Sequence, residues 1–177
     1  ALSAPAKLTN PALDPSGWQA PAAGLLLTDL YELNMVEAYL EAGMTAPAVF
    51  EFFVRNLPPT RGFLVAAGLA QVAEFLEAAR FSEDELDWLD GSGRFSAAAV
   101  RAFAAIEFTG DVDAMAEGTV FFPDEPILRV TAPLPQAQLV ETRVINLLHL
   151  QTVIASKAAR MVLAAPGKDL VDFGLRR

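Results

Sequence analysis

Residues 141–177 read ETRVINLLHLQTVIASKAARMVLAAPGKDLVDFGLRR, and their pattern is the most informative about the architecture. Apolar side chains at helical spacing predict a long helix over about 141–163, which the pair Pro166-Gly167 ends. The apolar run at 170–174 then predicts a strand, and two arginines follow it. A helix, a tight turn and a strand with a site at its end make one unit of an α/β barrel. One unit cannot close a barrel, so we interpret Arg177 as a point of truncation or cleavage.

Upstream of this stretch, the sequence divides into further parts. Four prolines in residues 1–23 predict an extended arm, and residues 24–138 predict an N-terminal α/β domain with a small β unit. Residues 139–177 supply the first helix and strand of the barrel. The fold class is therefore α/β, with an α+β N-terminal domain leading into an incomplete α/β barrel. In the N-terminal domain the patterns predict helices over 29–42, 68–80, 82–90 and 96–105, and strands over 48–54, 106–112, 118–122 and 127–131.

The helix predicted over residues 29–42 has two distinct faces. At about 100° per residue, Tyr31 lies outside the apolar stripe, which predicts that its ring serves a second surface. Asp29 followed three residues later by Glu32 is typical of a capping box. The apolar stripe consists of Leu33, Val36 and Leu40.

Composition excludes several classes of protein. Hydrophobic residues make up 53% of the chain, too many for a disordered protein. The sequence contains no apolar run of the roughly 18 to 20 residues needed to cross a bilayer, so a membrane protein is not expected. Cysteine is absent, which excludes disulfides and a thiol nucleophile and fits a cytoplasmic location.

Charge is distributed unevenly along the chain. Residues 1–125 carry 6 basic and 19 acidic side chains, whereas residues 126–177 carry 7 basic and 3 acidic ones. The acidic majority argues against nucleic-acid binding, which needs a basic face. The basic end has two interpretations: it faces a small polyanion, or its charges solvate the exposed side of a helix.

The residues alone reveal no self-sufficient catalytic set. His149 is the one histidine, and we interpret it as a packing or hydrogen-bonding residue of its helix rather than a base. A Cys/His nucleophile and a metal cluster are not expected, and no glycine-rich phosphate loop occurs. The acidic residues at 83–87 accompany a second capping signal, Ser82 with Glu85, and are interpreted as a solvated helix face.

Five blocks of sequence stand out along the chain: Thr28–Met35 (TDLYELNM), Phe50–Arg55 (FEFFVR), Pro59–Phe63 (PTRGF), Glu141–Leu148 with Ala155–Arg160 (ETRVINLL and ASKAAR), and Asp172–Arg177 (DFGLRR). In this order they resemble the blocks of nicotinate phosphoribosyltransferases, and the resemblance runs from about Gly24 to the last residue. Each block alone is short enough to recur by chance, but five in order at matching spacing identify the chain as a member of this family. Asn34 stands where the family pattern has threonine, which is a mild departure.

The resemblance implies the type II phosphoribosyltransferase fold: an N-terminal domain followed by an irregular α/β barrel, assembled as a homodimer with shared active sites. It implies a reaction of nicotinate with phosphoribosyl pyrophosphate that releases pyrophosphate, uses Mg²⁺ and is driven by ATP through a phosphohistidine. That histidine is expected beyond Arg177. No catalytic residue and no metal ligand is therefore assigned within this span, and the fragment alone is expected to be inactive.

The resemblance also implies which residues bind ligands. Phe173 would stack on one face of the pyridine ring and the partner subunit's Tyr31 on the other, an arrangement that holds a flat ring well. Arg176 would contact a phosphate or the substrate carboxylate, and Arg55 would reach phosphates from the partner's side, since guanidinium forks suit both groups. Gly174 would let the backbone approach the ligand closely. The substrate-binding set is then Tyr31, Phe173, Gly174, Arg176 and Arg177, with Arg55 as the phosphate-binding residue.

Two other functions stay open at this point. A related enzyme that uses nicotinamide or quinolinate would resemble this chain closely, although quinolinate would need additional basic residues for its second carboxylate. A non-catalytic, self-associating interaction module would use the N-terminal domain and the β unit for assembly. Such a module would bind neither pyridine acids nor phosphoribosyl pyrophosphate.

Overall fold

The fold comes from a computed structural model, which describes residues 24–171, 173 and 174. The arm predicted for residues 1–23 lies outside the described residues, as do Asp172 and residues 175–177. The described part mixes helices with short strands, as the sequence predicts, and the strands pair in the antiparallel direction. The helices are α1 (Leu30–Glu41), α2 (Leu69–Glu77), α3 (Glu83–Gly91), α4 (Ala97–Ala104) and α5 (Leu134–Ala164), and the strands are β1 (Pro47–Phe52), β2 (Leu64–Val65), β3 (Asp111–Ala114), β4 (Val120–Phe121) and β5 (Leu128–Pro133).

The strands form two separate sheets. β1, β5 and β3 make a three-stranded antiparallel sheet in that order, and β2 pairs with β4. The interpretation of residues 48–54 as a buried strand is wrong, because β1 alternates between exposed and half-buried residues. β1 lies at the sheet edge, where one face packs toward α5 and the other meets solvent. Phe50 and Phe52 lie on the packed face, while Glu51 on the other face pairs with Arg129 of β5.

β3 is shorter than predicted and begins at Asp111 instead of Ile106. Ile106 and Phe108 pack against the main core, and only the four residues 111–114 are in register with β5. Gly110 allows the close approach between these two segments, since a Cβ there would lie 2.5 Å from that of Ala132.

α5 is the central element of the fold. It contacts α1, α2, β1, β2 and β5, and its first half supplies much of the main core. The helix begins at Leu134 and not at Glu141 as predicted. Pro135 occupies its first turn, where a missing N–H costs nothing, and this proline was the available signal for the start. The domain boundary predicted between residues 138 and 139 falls inside α5. Within the described residues, no helix is both long enough and apolar enough to cross a membrane.

The second half of α5 holds the small sheet through hydroxyl groups. Ser156 Oγ accepts a hydrogen bond from the N–H of Val65 at 2.8 Å. Thr152 Oγ1 accepts from the N–H of Ala67 at 3.3 Å and donates to its carbonyl oxygen at 3.2 Å. Ser156 and Thr152 are both buried, and their bonds satisfy backbone groups that would otherwise be buried unpaired.

Gly68 sets the distance between α2 and α5. Its φ of +105° lies in the left-handed region, and a Cβ there would lie 2.9 Å from the carbonyl oxygen of Leu147. Glu117, from a distant loop, accepts from the N–H groups of Gly68 at 2.8 Å and Ala70 at 3.3 Å. Glu117 therefore caps α2, since Gly68 has no side chain that could do so.

The two predicted capping boxes have different outcomes. Ser82 and Glu85 form theirs, because each side chain binds the other residue's backbone N–H. Asp29 makes no side-chain cap for α1. Glu32, its expected partner, is buried and bonded to residues of α5 instead, so a tertiary contact has replaced the local one.

The strand predicted for residues 170–174 is not formed among the residues that the structure describes. A hydrogen bond from the N–H of Lys168 to the carbonyl oxygen of Ala165 at 3.2 Å closes the predicted turn after α5. A strand needs a paired neighbour, and no described residue forms a ladder with this segment. Its described large apolar side chains are exposed: Leu170, Val171 and Phe173.

Candidate functional site

Tyr31 lies on the surface where α1 meets α5. As predicted, it is outside the buried stripe of α1, and 47% of its surface is exposed. Its hydroxyl oxygen lies 3.5 Å from Thr142 Oγ1 of α5. The ring is therefore free to contact a ligand while its hydroxyl is tethered.

A buried carboxylate lies next to Tyr31. Glu32 is 0% exposed, and one of its oxygens accepts a hydrogen bond from Gln138 Nε2 while the other accepts from Thr142 Oγ1 at 2.7 Å. Gln138 also donates to Glu141 Oε2 at 3.0 Å. None of the described basic side chains forms an ion pair with Glu32, so neutral donors alone satisfy it. We call Glu32, Gln138, Glu141 and Thr142 the α1–α5 network.

The network shifts the pKa of one of its own members, Glu141, and that of the adjacent Tyr31. Burial raises the pKa of Glu141, the nearby charge of Glu32 raises it further, and the hydrogen bond from Gln138 opposes them. The hydrogen bond with Thr142 works to lower the pKa of the Tyr31 phenol, but Glu32, burial and the charge of Glu141 outweigh it, and that pKa is raised. The phenol is therefore protonated at neutral pH and able to donate a hydrogen bond.

A pocket of about 320 Å³ lies beside the same segment of α5. Glu141 and Ile145 of α5 line it, and so does Arg55, which is exposed and pairs with none of the described acidic side chains. The site therefore offers apolar walls, the cation of Arg55, the carboxyl group of Glu141 with its raised pKa, and the carboxylate of Glu51, which pairs with Arg129. The apolar lining includes Phe50, Phe52, Phe53, Val140 and Val144.

Residues 26–149 match the family model of the nicotinate phosphoribosyltransferase (NAPRTase) N-terminal domain. The match includes α1, both sheets and the first half of α5, and hence every described residue of the site around Tyr31 and Arg55. The chain belongs to the nicotinate phosphoribosyltransferase family.

Individual relatives agree with this assignment. The nicotinate phosphoribosyltransferase pncB2 of Mycobacterium tuberculosis is 56% identical over 154 residues, which are 87% of this chain and 33% of that protein. The human nicotinate phosphoribosyltransferase is 38% identical over 164 residues, 88% of this chain and 30% of that protein. The crystal structure of human nicotinic acid phosphoribosyltransferase matches with a TM-score of 0.75 at 36% identity, covering 85% of this chain and 31% of that one. The fold is shared, and the chain spans about a third of the length of these nicotinate phosphoribosyltransferases.

Two of the binding residues expected for this family lie beside one segment of α5. Tyr31 contacts Thr142, and Arg55 shares its pocket with Glu141. Two positions of the nicotinate phosphoribosyltransferase pattern, separated by 24 residues in sequence, thus approach the same turn of a helix more than eighty residues away.

The remaining expected binding residues lie beyond the end of α5. Phe173 is 77% exposed, and Gly174 is half-buried. Arg176 and Arg177 lie outside the described residues. Their roles in ligand binding stay predictions.

Sequence reasoning missed the three residues that bind one another across α1 and α5. Glu32 was interpreted as part of a capping box. Gln138 lies before the predicted start of α5, and Thr142 lies in one of the family blocks but was assigned no function. The pairs are 106 and 110 residues apart in sequence, so no local pattern could have joined them. The one usable signal is that Gln138 and Thr142 are polar and four residues apart, so they lie on one face of the helix.

Other titratable groups show simpler environments. His149 is exposed and, within the described residues, makes no side-chain hydrogen bond, so its interpretation as a packing or bonding residue is not supported. The acidic residues of α3 lie on a solvated face as predicted, apart from Glu85, whose Oε1 also accepts from the N–H of Leu26 at 3.0 Å. In the described ranges no group of three His, Cys, Asp or Glu side chains could hold a metal ion.

Proposed function

We propose that this chain forms part of a nicotinate phosphoribosyltransferase, which bonds the pyridine nitrogen of nicotinate to C1 of phosphoribosyl pyrophosphate and releases pyrophosphate. The observation that carries the proposal is 56% identity to an enzyme of that name over 87% of the chain. Coupling to ATP, a cytoplasmic location and a homodimer with shared sites belong to the same proposal and are supported by the sequence resemblance. The 177 residues alone are expected to be inactive, because they span 33% of that relative.

Tyr31 is assigned to one face of the pyridine ring. Its own ring is exposed at the surface between α1 and α5, and its hydroxyl is held by Thr142. Phe173, which is also exposed, is assigned to the other face. Two aromatic side chains bind a flat heterocycle by stacking on both of its faces.

The site shared between two subunits is assigned on the strength of the resemblance, which pairs Phe173 with the partner subunit's Tyr31. In this chain Thr142, which contacts Tyr31, lies 22 positions before Ala164, and at about 1.5 Å per residue these positions span about 33 Å. Phe173 follows the other end of α5, after the turn that ends at Lys168.

Arg55 is assigned to the phosphates. It is exposed at the pocket between β1 and α5, and no described carboxylate neutralises it. A guanidinium can bind a phosphate with two parallel hydrogen bonds and stabilise the charge that develops on departing pyrophosphate. Arg176 and Arg177 are assigned to phosphate or to the nicotinate carboxylate on the strength of the resemblance.

Mg²⁺ and ATP belong to the proposal but are assigned to no residue of this chain. The described residues contain no cluster of metal-ligating side chains. Mg²⁺, when bound, would offset the negative charge of the pyrophosphate group. Every role given to this chain therefore concerns binding and orientation of the substrates.

The uninterrupted gene product should be assayed with phosphoribosyl pyrophosphate, Mg²⁺ and each of three acids or amides, namely nicotinate, nicotinamide and quinolinate. Nicotinate mononucleotide, detected by mass and formed faster with ATP, is the expected product. A product from nicotinamide or quinolinate in preference to nicotinate would assign the chain to a related enzyme. No product from any of the three would overturn the enzyme proposal and favour the self-associating interaction module.

Replacing Tyr31 tests the site itself. In the complete enzyme, Tyr31→Ala should raise the KM for nicotinate by roughly tenfold or more, since one aromatic stacking partner is lost. The matched control is Tyr39→Phe on the same helix, which is expected to leave the KM unchanged. An unaltered KM in Tyr31→Ala would remove Tyr31 from the site.

A further inference from the structure

We propose that Glu32 and Thr142 are positioning residues that fix the orientation of the Tyr31 ring toward nicotinate. This role rests on the proposed function. Neither residue is assigned a contact with the substrate, since Glu32 is fully buried and the hydroxyl of Thr142 is engaged between α1 and α5. Both act through the Tyr31 hydroxyl.

The available donors and acceptors leave one arrangement of protons. Thr142 has a single hydroxyl proton, and its oxygen lies 2.7 Å from Glu32 Oε1 but 3.4 Å from Asp29 Oδ2. The proton therefore points to Glu32. The Tyr31 hydroxyl, 3.5 Å from Thr142 Oγ1, must then be the donor of their bond, because Thr142 has no second proton. A directed chain of hydrogen bonds runs from Tyr31 through Thr142 to the carboxylate.

The buried end of this chain is rigid. Glu32 is 0% exposed, and Gln138 occupies its second oxygen while also donating to Glu141. A buried carboxylate that loses a donor suffers the full cost of desolvation, so the arrangement resists change. Thr142 is consequently held in one rotamer, and its oxygen is a fixed acceptor.

The other end of the chain is a ring with little else to hold it. Tyr31 is 47% exposed, and its hydroxyl is held by Thr142 with the carboxylate of Glu32 next to it. Without this contact the ring would sample several rotamers, and binding of nicotinate would have to order it. Loss of the contact should therefore weaken nicotinate binding more than it slows the chemical step.

A double-mutant cycle on the complete enzyme tests this assignment. Tyr31→Phe and Thr142→Val each remove one hydroxyl of the pair. Each should raise the KM for nicotinate roughly two- to tenfold, the range for one lost hydrogen bond, with kcat within about twofold and the KM for phosphoribosyl pyrophosphate unchanged. The double variant should be no worse than the poorer single variant, because both remove the same bond.

Two further variants separate positioning from mere stability. Thr142→Ser retains the hydroxyl and should restore a wild-type KM. Glu32→Gln keeps the side-chain size but has one acceptor oxygen for two donors, so it should reproduce the KM increase of Thr142→Val. Urea midpoints measured for each variant show whether a loss of folding accompanies the change, and a purely structural role would lower the midpoint without splitting KM from kcat.

The outcomes separate the two proposals. If Tyr31→Ala raises the KM for nicotinate but the effects of Tyr31→Phe and Thr142→Val multiply in the double variant, the positioning role is overturned and the proposed function stands. If Tyr31→Ala leaves the KM unchanged, Tyr31 is not in the site and the positioning role is overturned with it. Equal effects in the two single variants and in the double variant support the proposal.

Discussion

The two halves of α5 present opposite surfaces. In residues 134–148 the buried positions are largely apolar, and buried Gln138 donates hydrogen bonds within the α1–α5 network. In residues 149–164 the buried positions are the hydroxyl residues Thr152 and Ser156, which bind backbone groups near β2. This second half also exposes five large apolar side chains: Leu150, Ile154, Met161, Val162 and Leu163.

The difference shows that the described residues bury the apolar side chains of the first half but leave several of those of the second half exposed. An apolar face of this size on a helix normally meets another layer of protein. Phe173 and its apolar neighbours after α5 are exposed as well. The relatives are about three times as long as this chain, so under the proposed function we expect further residues of the protein to cover this second half.

The largest change in the free energy of unfolding should come from truncating a buried side chain in the first half of α5. Leu148 is 3% exposed and Leu150 is 60% exposed, although they are only two residues apart in α5. Replacing each leucine by alanine therefore compares a buried position with an exposed one. Leu148→Ala should lower the free energy of unfolding by about 2–5 kcal/mol, because it removes core contacts and leaves a cavity. Leu150→Ala should change it by no more than about 0.5 kcal/mol in the 177-residue chain. Urea unfolding compares them, and equal losses would mean that the second half is packed too.

A smaller effect is expected from the hydroxyl contacts of the second half. Ser156→Ala leaves the N–H of Val65 without its partner, which should cost about 1–3 kcal/mol in unfolding free energy. Thr45→Ala is the control, since Thr45 is exposed and makes no side-chain hydrogen bond within the described residues. If both variants unfold at the same urea concentration, the small sheet is held by packing alone and the contrast between the halves is weaker than the hydrogen bonds suggest.

The smallest effect concerns pH and the network of the first half. Because burial and the charge of Glu32 raise the pKa of Glu141, the folded chain holds this proton more tightly than the unfolded one. Stability should therefore fall as pH rises from about 4.3, the value for an unfolded glutamate, through the raised pKa. Glu141→Gln should remove this decline, and chemical unfolding between pH 4 and pH 7 measures it. A decline of equal size in both chains would assign it to other groups.

Sequence patterns predicted a local structure correctly where the residues that stabilise it are close together in sequence. Ser82 and Glu85 are three residues apart, and their capping box forms as predicted. Tyr31 lies off the apolar stripe of α1 as the helix period requires, because that period depends on local geometry alone. Asp29 and Glu32 share the same three-residue spacing, yet they form no box, since Gln138 and Thr142 compete for Glu32 from 106 and 110 residues away.

The candidate site was predictable only in part for the same reason. The resemblance supplied Tyr31 and Arg55, and the structure brings both to α5. The sequence could not identify Glu32 as a buried residue of the site, because the residue type is the same whether the carboxylate is buried or solvated. The exposure of β1 also depended on its neighbours, since the strand is an edge only by virtue of pairing with β5 alone.

The position of α5 in the chain has a consequence for synthesis. Pro47 of β1 pairs with Pro133 of β5, and α1 packs on a helix that begins one residue later. A ribosome delivers the N-terminal elements first, so α1 and β1 emerge well before the partners that bury their apolar faces. Until about residue 148 has left the ribosome these segments have no complete core to join, and a nascent chain halted before α5 should depend on chaperones to stay unaggregated.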